Sequence, residues 1–447
     1  PLPDWSTRAA RLRKLAALLR DNRDAIAAAI DADFGRRPVE ETDLLEIFPS
    51  VSAIRHALRN GRRWMRPRRR WANFLFLPAQ TAVRPQPLGV VGIIAPWNYP
   101  LYLAVGPLTD ALAAGNRVMI KTSEFTPRFS ALFAELVARA FRGDEVAVIN
   151  GGADVGRAFT ALALDHLLFT GSTAVGRETM RAAAENLTPV TLELGGKSPA
   201  LIGPGARFAH AVERIVLGKL LNAGQTCIAP DYVLIPRAQL EAFVEEARRV
   251  AARLYPDLPR NAQYASIASD RHFSRLRALR EDAVALGAKI HPLGDASDEA
   301  GSRTLAPSML TGVDDRMRIM HEEIFGPLLP LVPYDALDEA LAYIAARPHP
   351  LALYVFEDDA RTLATIHART HAGGVTVNDT ILHIAQHALP FGGAGASGLG
   401  AYHGETGFRT FSRMKPVMRQ SRLSLVRLLN PPYRATFRRL RRILIGR

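Results

Sequence analysis

The chain runs to 447 residues, 48% hydrophobic and 22% charged, the balance of a soluble globular protein with room for two or three domains. Its formal net charge of +14 is largely terminal, because twelve Arg and Lys but no acid follow Glu405; without interleaved aromatics or a helix-turn-helix pattern it implies no nucleic-acid partner. A lone cysteine excludes an internal disulfide framework, and no stretch nears the roughly 18 apolar residues of a spanning helix, so a reducing, cytoplasmic location is expected.

No charged-then-apolar leader opens the chain, although its start at Pro1 leaves an earlier segment open. Residues 5–30 and 44–58 carry Leu and Ile at near-helical spacing and predict two amphipathic helices. An arginine cluster occupies 62–70, and 67–87 changes character, with strand-like runs at 73–77 and 81–83 around Pro78. Apolar runs of strand length then follow at 89–95, 117–121, 146–149, 166–169 and 190–194, separated by helical stretches at 101–114, 127–141, 155–163 and 173–184. Such alternation predicts an α/β fold with a Rossmann-like, doubly wound parallel sheet over 1–66 and 88–194, binding its ligand beyond the carboxyl ends of the strands. Strand-like runs at 199–202, 232–235, 327–332, 352–356 and 375–378 give a second α/β domain over 195–395. Residues 408–418 read as a strand free to cross to a partner. The basic tail, 421–447, is broken by Pro431-Pro432 and ends with Phe437, Leu440, Ile443 and Leu444 among arginines. Two readings of that end stay open: a surface lying on an anionic bilayer, or a tail docked on a partner subunit.

The chemistry centres on 191–227. An apolar run delivers Glu193 immediately before Gly195-Gly196 and Lys197-Ser198-Pro199, and Gly224-Gln225-Thr226 precedes Cys227. A strand-end carboxylate, glycines that admit close backbone approach and a solitary thiol are the parts of a covalent thiol mechanism, a nucleophile and a base. Taken singly, each has a plain alternative, since a lone cysteine is more often a small buried hydrophobe and most glutamates lie on the surface. Asn98, after Pro96-Trp97 at a strand end, offers an amide N–H to an oxyanion or caps the next helix. Gly171-Ser172-Thr173-Ala174-Val175-Gly176 joins a strand end to a helix start and exposes backbone N–H groups to an anion, although it is not the standard dinucleotide fingerprint. His383 and His387 are four apart but lack the glutamate and third ligand of a metal site; no metal is expected, and both are placed on the solvent side or a pocket rim.

Glu193-Leu194-Gly195-Gly196-Lys197-Ser198-Pro199 and Gly224-Gln225-Thr226-Cys227 have company. Pro96-Trp97-Asn98-Tyr99-Pro100, Phe169-Thr170-Gly171-Ser172-Thr173, Glu322-Glu323-Ile324-Phe325-Gly326-Pro327 and Pro390-Phe391-Gly392-Gly393 complete a set that resembles the aldehyde dehydrogenase superfamily. Residues 224–233 and 378–412 are most similar to its class 3 branch and, within it, to the coniferyl-type enzymes. The resemblance implies NAD(P)-dependent oxidation of an aldehyde, aromatic or medium-chain, with a fatty aldehyde at a membrane surface as the alternative. It also implies a homodimer joined through an oligomerisation hairpin at 67–87 with 408–420, and assigns the first domain to a dinucleotide and the second to catalysis. A non-catalytic surface-binding protein on the same scaffold would be expected to lack the thiol, amide or acid, and all three are present.

By the same resemblance, Lys121, Ser123 and Glu124 meet the adenosine ribose, where a carboxylate favours NAD over NADP. Pro96, Trp97, Gly171, Ser172, Gly176 and Leu194 line the cofactor, Glu323 and Phe325 hold the nicotinamide ribose and ring, and Tyr99 and Phe391 line the aldehyde entrance. In the implied mechanism Cys227 attacks as thiolate, its pKa lowered by the cationic nicotinamide and a helix end. Asn98 and the Cys227 N–H hold the oxyanion, and Glu193 activates the water that hydrolyses the resulting thioester.

Overall fold

The computed structural model describes residues 2–445 apart from 296, 425, 428, 429 and 434. Its first large sheet has the spatial order Gly398–Leu399, Val190–Leu194, His166–Gly171, Val90–Ile94, Arg117–Lys121 and Val146–Ile149, parallel throughout except for the two-residue edge strand Gly398–Leu399. All five expected strands are present. Helices Tyr102–Ala114, Pro127–Ala140, Ala153–Thr160 and Thr173–Ala184 connect them. Val91, Ile93, Val118, Ile120, Leu167 and Leu168 are buried, as continuous apolar strands must be when helices cover both faces. The winding reverses between Val90–Ile94 and His166–Gly171, and the crevice past their carboxyl ends is where such a sheet takes its ligand.

The second large sheet runs Lys289–Pro292, Ser308–Thr311, Leu328–Tyr334, Tyr232–Pro236, Pro199–Ile202, Ala352–Phe356 and Gly374–Val377. Two of its strands were not expected. Ser308–Thr311 has four residues and polar ends, and Lys289–Pro292 is an antiparallel edge strand carrying Lys289 and His291, so neither shows an apolar run. A single apolar core joins the lobes, from Leu12 and Ile54 through Leu108 and Ile120 to Ile215 and Leu329.

Four local expectations are corrected. The helix expected over 5–30 is two, Trp5–Asp21 and Arg23–Phe34, parted at Asn22, whose backbone (φ −119°, ψ 19°) leaves the helical region while its side chain turns back to the Leu18 carbonyl at 2.8 Å. The one expected over 44–58 is assembled from Val39–Thr42, a π turn at Asp43–Ile47 and Phe48–Trp64. The run 73–77 is no strand: Phe74–Phe76 is a 3-10 turn capped by Asn73, Trp71 and Phe74 are exposed, and Arg68–Arg70 pairs with Gln80–Pro87 instead. Ser412–Arg419 pairs along the other side of Gln80–Pro87, closing a three-stranded sheet within one chain, whereas Phe408 belongs to the helix Gly404–Thr410. The tail carries the helix Ala435–Ile445, and no helix among the described residues is long and apolar enough to cross a membrane.

Candidate active site

Cys227 follows three consecutive left-handed residues, Asn222 (φ 51°), Ala223 (φ 49°) and Gly224 (φ 73°). A Cβ on Gly224 would stand 2.4 Å from the Gly326 carbonyl oxygen, so glycine is required where the cysteine loop crosses the 322–327 segment. Gln225 braces the loop: its amide donates to the Asn222 and Ser266 carbonyls, both at 3.0 Å, and its oxygen accepts the Ala268 N–H at 2.9 Å. The residues after Cys227 form a turn, so no helix starts at the cysteine itself. The N–H groups of Cys227 and Ile228 approach the sulfur, yet burial, and after it the carboxyls of Glu323 and Glu193, push the thiol up to about 12.

Glu193 occupies the end of its strand opposite Gly398, 3% exposed, and neither of its side-chain oxygens has a hydrogen-bond partner. Burial pushes its carboxyl well above the usual range. A buried acid with no partner costs stability, which marks it as a group held for chemistry. Glu193 and Cys227 lie near enough to interact: the Glu193 carboxyl opposes ionisation of the Cys227 thiol, and both oppose ionisation of the Tyr402 hydroxyl. Asn98 joins them: buried, its Nδ2 donates to the Gln225 carbonyl at 3.1 Å, tying the first lobe to the cysteine loop. It does not cap the following helix. That helix begins at Tyr102, and the Glu46 carboxylate accepts the Leu101 and Tyr102 N–H groups at 2.7 and 3.2 Å.

Tyr99 lies deeper than an entrance residue, buried with its hydroxyl 2.5 Å from Thr226 Oγ1. Phe391 is buried as well, stacked between His383 (5.9 Å) and His403 (5.2 Å) and edge-on to Tyr402. Of the two placements expected for His383 and His387, solvent side or pocket rim, the first is corrected: His383 packs against Tyr354 and Phe391 and His387 against His56 and His403, and burial pushes both down to about 4, so they are neutral near pH 7. Their apolar neighbours are distant in sequence, which hid the cluster from a reading of spacing.

On the cofactor side, Trp97 and Phe325 meet edge to face at 5.3 Å, and Trp97 also packs on His272 at 4.7 Å. No motif marks His272 in the sequence. Pro96 lies half-buried in the same loop. Lys121 is buried at its strand end, donating to the Thr122 carbonyl at 2.6 Å and lying 3.7 Å from Glu124. Ser123 Oγ accepts the Phe125 N–H at 3.3 Å. Ser172 caps the helix Thr173–Ala184 through the Val175 N–H; a Cβ on Gly176 would lie 2.6 Å from Leu194, so that glycine lets the helix start close on the sheet, whereas one on Gly171 would lie 2.6 Å from Phe169 of its own strand.

A cleft of about 420 Å³ is lined by Thr173, Gly195, Gly196, Lys197, Glu323 and Arg347, among others. Glu323 presses on Gly195, where a Cβ would meet its Oε2 at 1.9 Å; its Oε1 is buried without a partner, and burial pushes the carboxyl up to about 8. Neither Cys227 nor the Lys121 and Glu124 pair lines this cleft. Lys197 has a role the motif did not disclose: it is paired with Asp231 and donates to the Ile319 and Glu322 carbonyls at 2.7 and 3.0 Å, while Asp231 accepts the Ile324 N–H at 2.9 Å. The 319–324 segment, and Glu323 with it, is thereby fixed against the glycine pair.

Two α/β lobes, with thiol, acid and amide brought together at the end of a doubly wound sheet, define an α/β enzyme built for a small carbonyl substrate and a nucleotide. Comparison with known proteins narrows this. A model of the aldehyde dehydrogenase family matches residues 3–417, and the chain belongs to that family. It is 50% identical, over 98% of its length and 92% of the relative's, to a probable coniferyl aldehyde dehydrogenase of Pseudomonas aeruginosa. Among solved structures it is similar to a substrate-bound AldH of Staphylococcus aureus (TM-score 0.93, 35% identity, 98% and 95% of the two chains). It is also similar to an aldehyde dehydrogenase of Mycobacterium tuberculosis complexed with NAD+ (TM-score 0.85, 30% identity, 94% and 88%). The protein is an oxidoreductase acting on aldehydes, as the motifs implied.

Proposed function

We propose that the enzyme oxidises an aromatic aldehyde of the coniferyl type to its carboxylic acid, with NAD preferred to NADP. The observation that carries the mechanism is a buried Glu193, both of whose oxygens are unpartnered, within electrostatic reach of the Cys227 thiol. Cys227 adds to the carbonyl carbon, and the oxyanion is met by the Asn98 amide and the Cys227 N–H, donors already fixed by the Gln225 contact. Loss of hydride from that adduct leaves a thioester on Cys227. Glu193 then takes a proton from water, which attacks the thioester and releases the acid and the thiol.

The dinucleotide fits the residues present. Glu323 Oε1 is a buried acceptor that no protein group satisfies, suited to a ribose hydroxyl, and the glycine at 195 leaves space that a Cβ would fill. When bound, the nicotinamide supplies the hydride acceptor. Lys121 and Glu124 would hold the second ribose, and Trp97, Phe325 and the Ser172 turn would flank the rest. The likeness to a coniferyl-type relative supports the substrate class.

The test is an absorbance assay of nicotinamide reduction with benzaldehyde-type, cinnamaldehyde-type and straight-chain aldehydes, each with NAD and NADP. The expected result is kcat/KM at least tenfold higher for cinnamaldehyde-type than for straight-chain substrates, with no response to added coenzyme A. A straight-chain preference overturns the substrate reading. Assembly belongs to the same proposal: a homodimer joined through the three-stranded sheet, checked by sedimentation velocity, and contact of the basic tail with an anionic bilayer, checked by liposome co-sedimentation with and without 431–447. Equal pelleting of the two forms removes the bilayer.

A further inference from the structure

A buried ion cluster lies behind the catalytic loops. Arg37 is 1% exposed and pairs with the inaccessible Glu46 at 3.3 Å, its guanidinium over the rings of Tyr99 (4.8 Å) and Phe34 (5.0 Å). Its Nη1 donates to the Asn98 carbonyl at 2.7 Å, whereas Nε and Nη2 have no partner. Glu41, 6% exposed, accepts the Asn222 N–H at 3.1 and 3.2 Å. The Asn222 amide in turn donates to the Asn98 and Gln225 carbonyls, both at 3.2 Å. Glu46 completes the set by accepting the Leu101 and Tyr102 N–H groups.

Charges this deep are costly to desolvate, and a well-packed apolar cluster would serve stability as well. The side-chain hydrogen bonds of these three ions end on two short segments, 98–102 and the left-handed turn at Asn222, which bring the Asn98 amide and Cys227 together. Asn222 holds a positive φ without being glycine, a conformation that persists only where its surroundings over-determine it.

We infer that Arg37, acting with Glu41 and Glu46, is a positioning residue for the oxyanion site: it clamps the Asn98 carbonyl and so sets the direction of the Asn98 amide against the Cys227 loop. The inference rests on the reading that Asn98 donates to the oxyanion. Burial pushes Glu41 up to about 7 and raises Glu46 as well, while Arg37 opposes both shifts. Removing the guanidinium leaves both carboxyls to take up protons, which weakens the Glu41 hold on Asn222 and frees the Asn98 carbonyl.

The test compares Arg37→Met, Arg37→Lys and Asn98→Ala, singly and with Arg37→Met in the Asn98→Ala background, in the full-length enzyme. A small misplacement of a catalytic group costs orders of magnitude in rate. Arg37→Met is expected to lower kcat at least tenfold with KM for NAD within threefold of the parent. Arg37→Lys, which keeps a charge and a donor, should recover part of the loss. Once Asn98 is alanine, Arg37→Met should lower kcat less than twofold further, because the group it positions is gone. Equal fractional losses in both backgrounds, or a lowered melting temperature with kcat unchanged, overturn the inference. A fully active Asn98→Ala enzyme overturns the oxyanion reading itself. Should Arg37→Met fail to fold, Glu41→Gln keeps the side-chain shape and is expected to lower kcat at least threefold, again only when Asn98 is present; an unchanged kcat counts against the inference.

Discussion

Glu193→Gln keeps the shape of the side chain and removes the base, so activity and stability should move in different directions. A positioned general base contributes about 10²–10⁴-fold, which is about 2.7–5.4 kcal/mol of barrier at about 1.36 kcal/mol per factor of ten. Steady-state kcat should fall by that factor. Because the acid acts after the thioester has formed, a first-turnover burst of reduced nicotinamide should survive. Stability follows from burial: both Glu193 oxygens lack partners, and the folded-state pKa lies well above the ordinary 4.5. Between those two values the folded state binds more protons than the unfolded one, so this group's contribution to stability declines as pH rises through the window, by about 1.36 kcal/mol per pH unit. Glutamine has no charge to desolvate. The variant should therefore melt no lower than the parent at pH 8 and gain less on acidification to pH 5.5. Stopped-flow absorbance and thermal melts at the two pH values measure both arms. A lost burst, a kcat loss below tenfold, or a clearly lowered melting temperature at pH 8 would refute the assignment.

With the thiol pushed up to about 12, iodoacetamide should label Cys227 of the free enzyme at a rate that climbs through pH 9 without levelling, and a plateau below pH 8 contradicts the burial argument. If the Lys121 and Glu124 pair grips a ribose, Glu124→Gln should raise KM for NAD about tenfold, the worth of a charge-assisted hydrogen bond, and shift the NAD to NADP ratio of kcat/KM toward NADP; an unchanged ratio rejects the placement. Gly224→Ala combines a φ of 73° with a Cβ placed 2.4 Å from a carbonyl oxygen, and should cost about 2 kcal/mol or more in urea unfolding; a midpoint equal to the parent's would show that the turn relaxes freely.

Buried strands and strand-end motifs could be read from the sequence because both are local. The runs at 117–121 and 190–194 are carried by Val118, Ile120, Leu192 and Leu194, all buried because helices cover both sheet faces, and Lys121 and Glu193 stand where each run stops. What could not be read depends on individual side-chain contacts, some local and some long-range. The break at Asn22 depends on one side chain turning back on its own helix, and the exposed aromatics at Trp71 and Phe74 imitate a strand that the pairing of Arg68–Arg70 denies. Gln225 looks like a motif letter but ties its own loop to the 266–268 segment, and Arg37 reaches a carbonyl 61 residues away. Hydrogen bonds of that reach leave no periodicity or spacing in the chain.

The electrostatics of the site also decide how its nucleophile is activated. The charged side chains that bear most on Cys227 are Glu323 and Glu193, both acids, so the folded chain by itself opposes a thiolate. Against them, the two N–H groups of Cys227 and Ile228 favour the thiolate. A cationic nicotinamide bound beside the sulfur would favour it further and offset part of the burial penalty. A soft thiolate is nucleophilic enough to work as a minor fraction. On the proposed mechanism the base is reserved for water, which accounts for a buried, unpartnered carboxyl at Glu193 and for a sulfur that works without a histidine beside it.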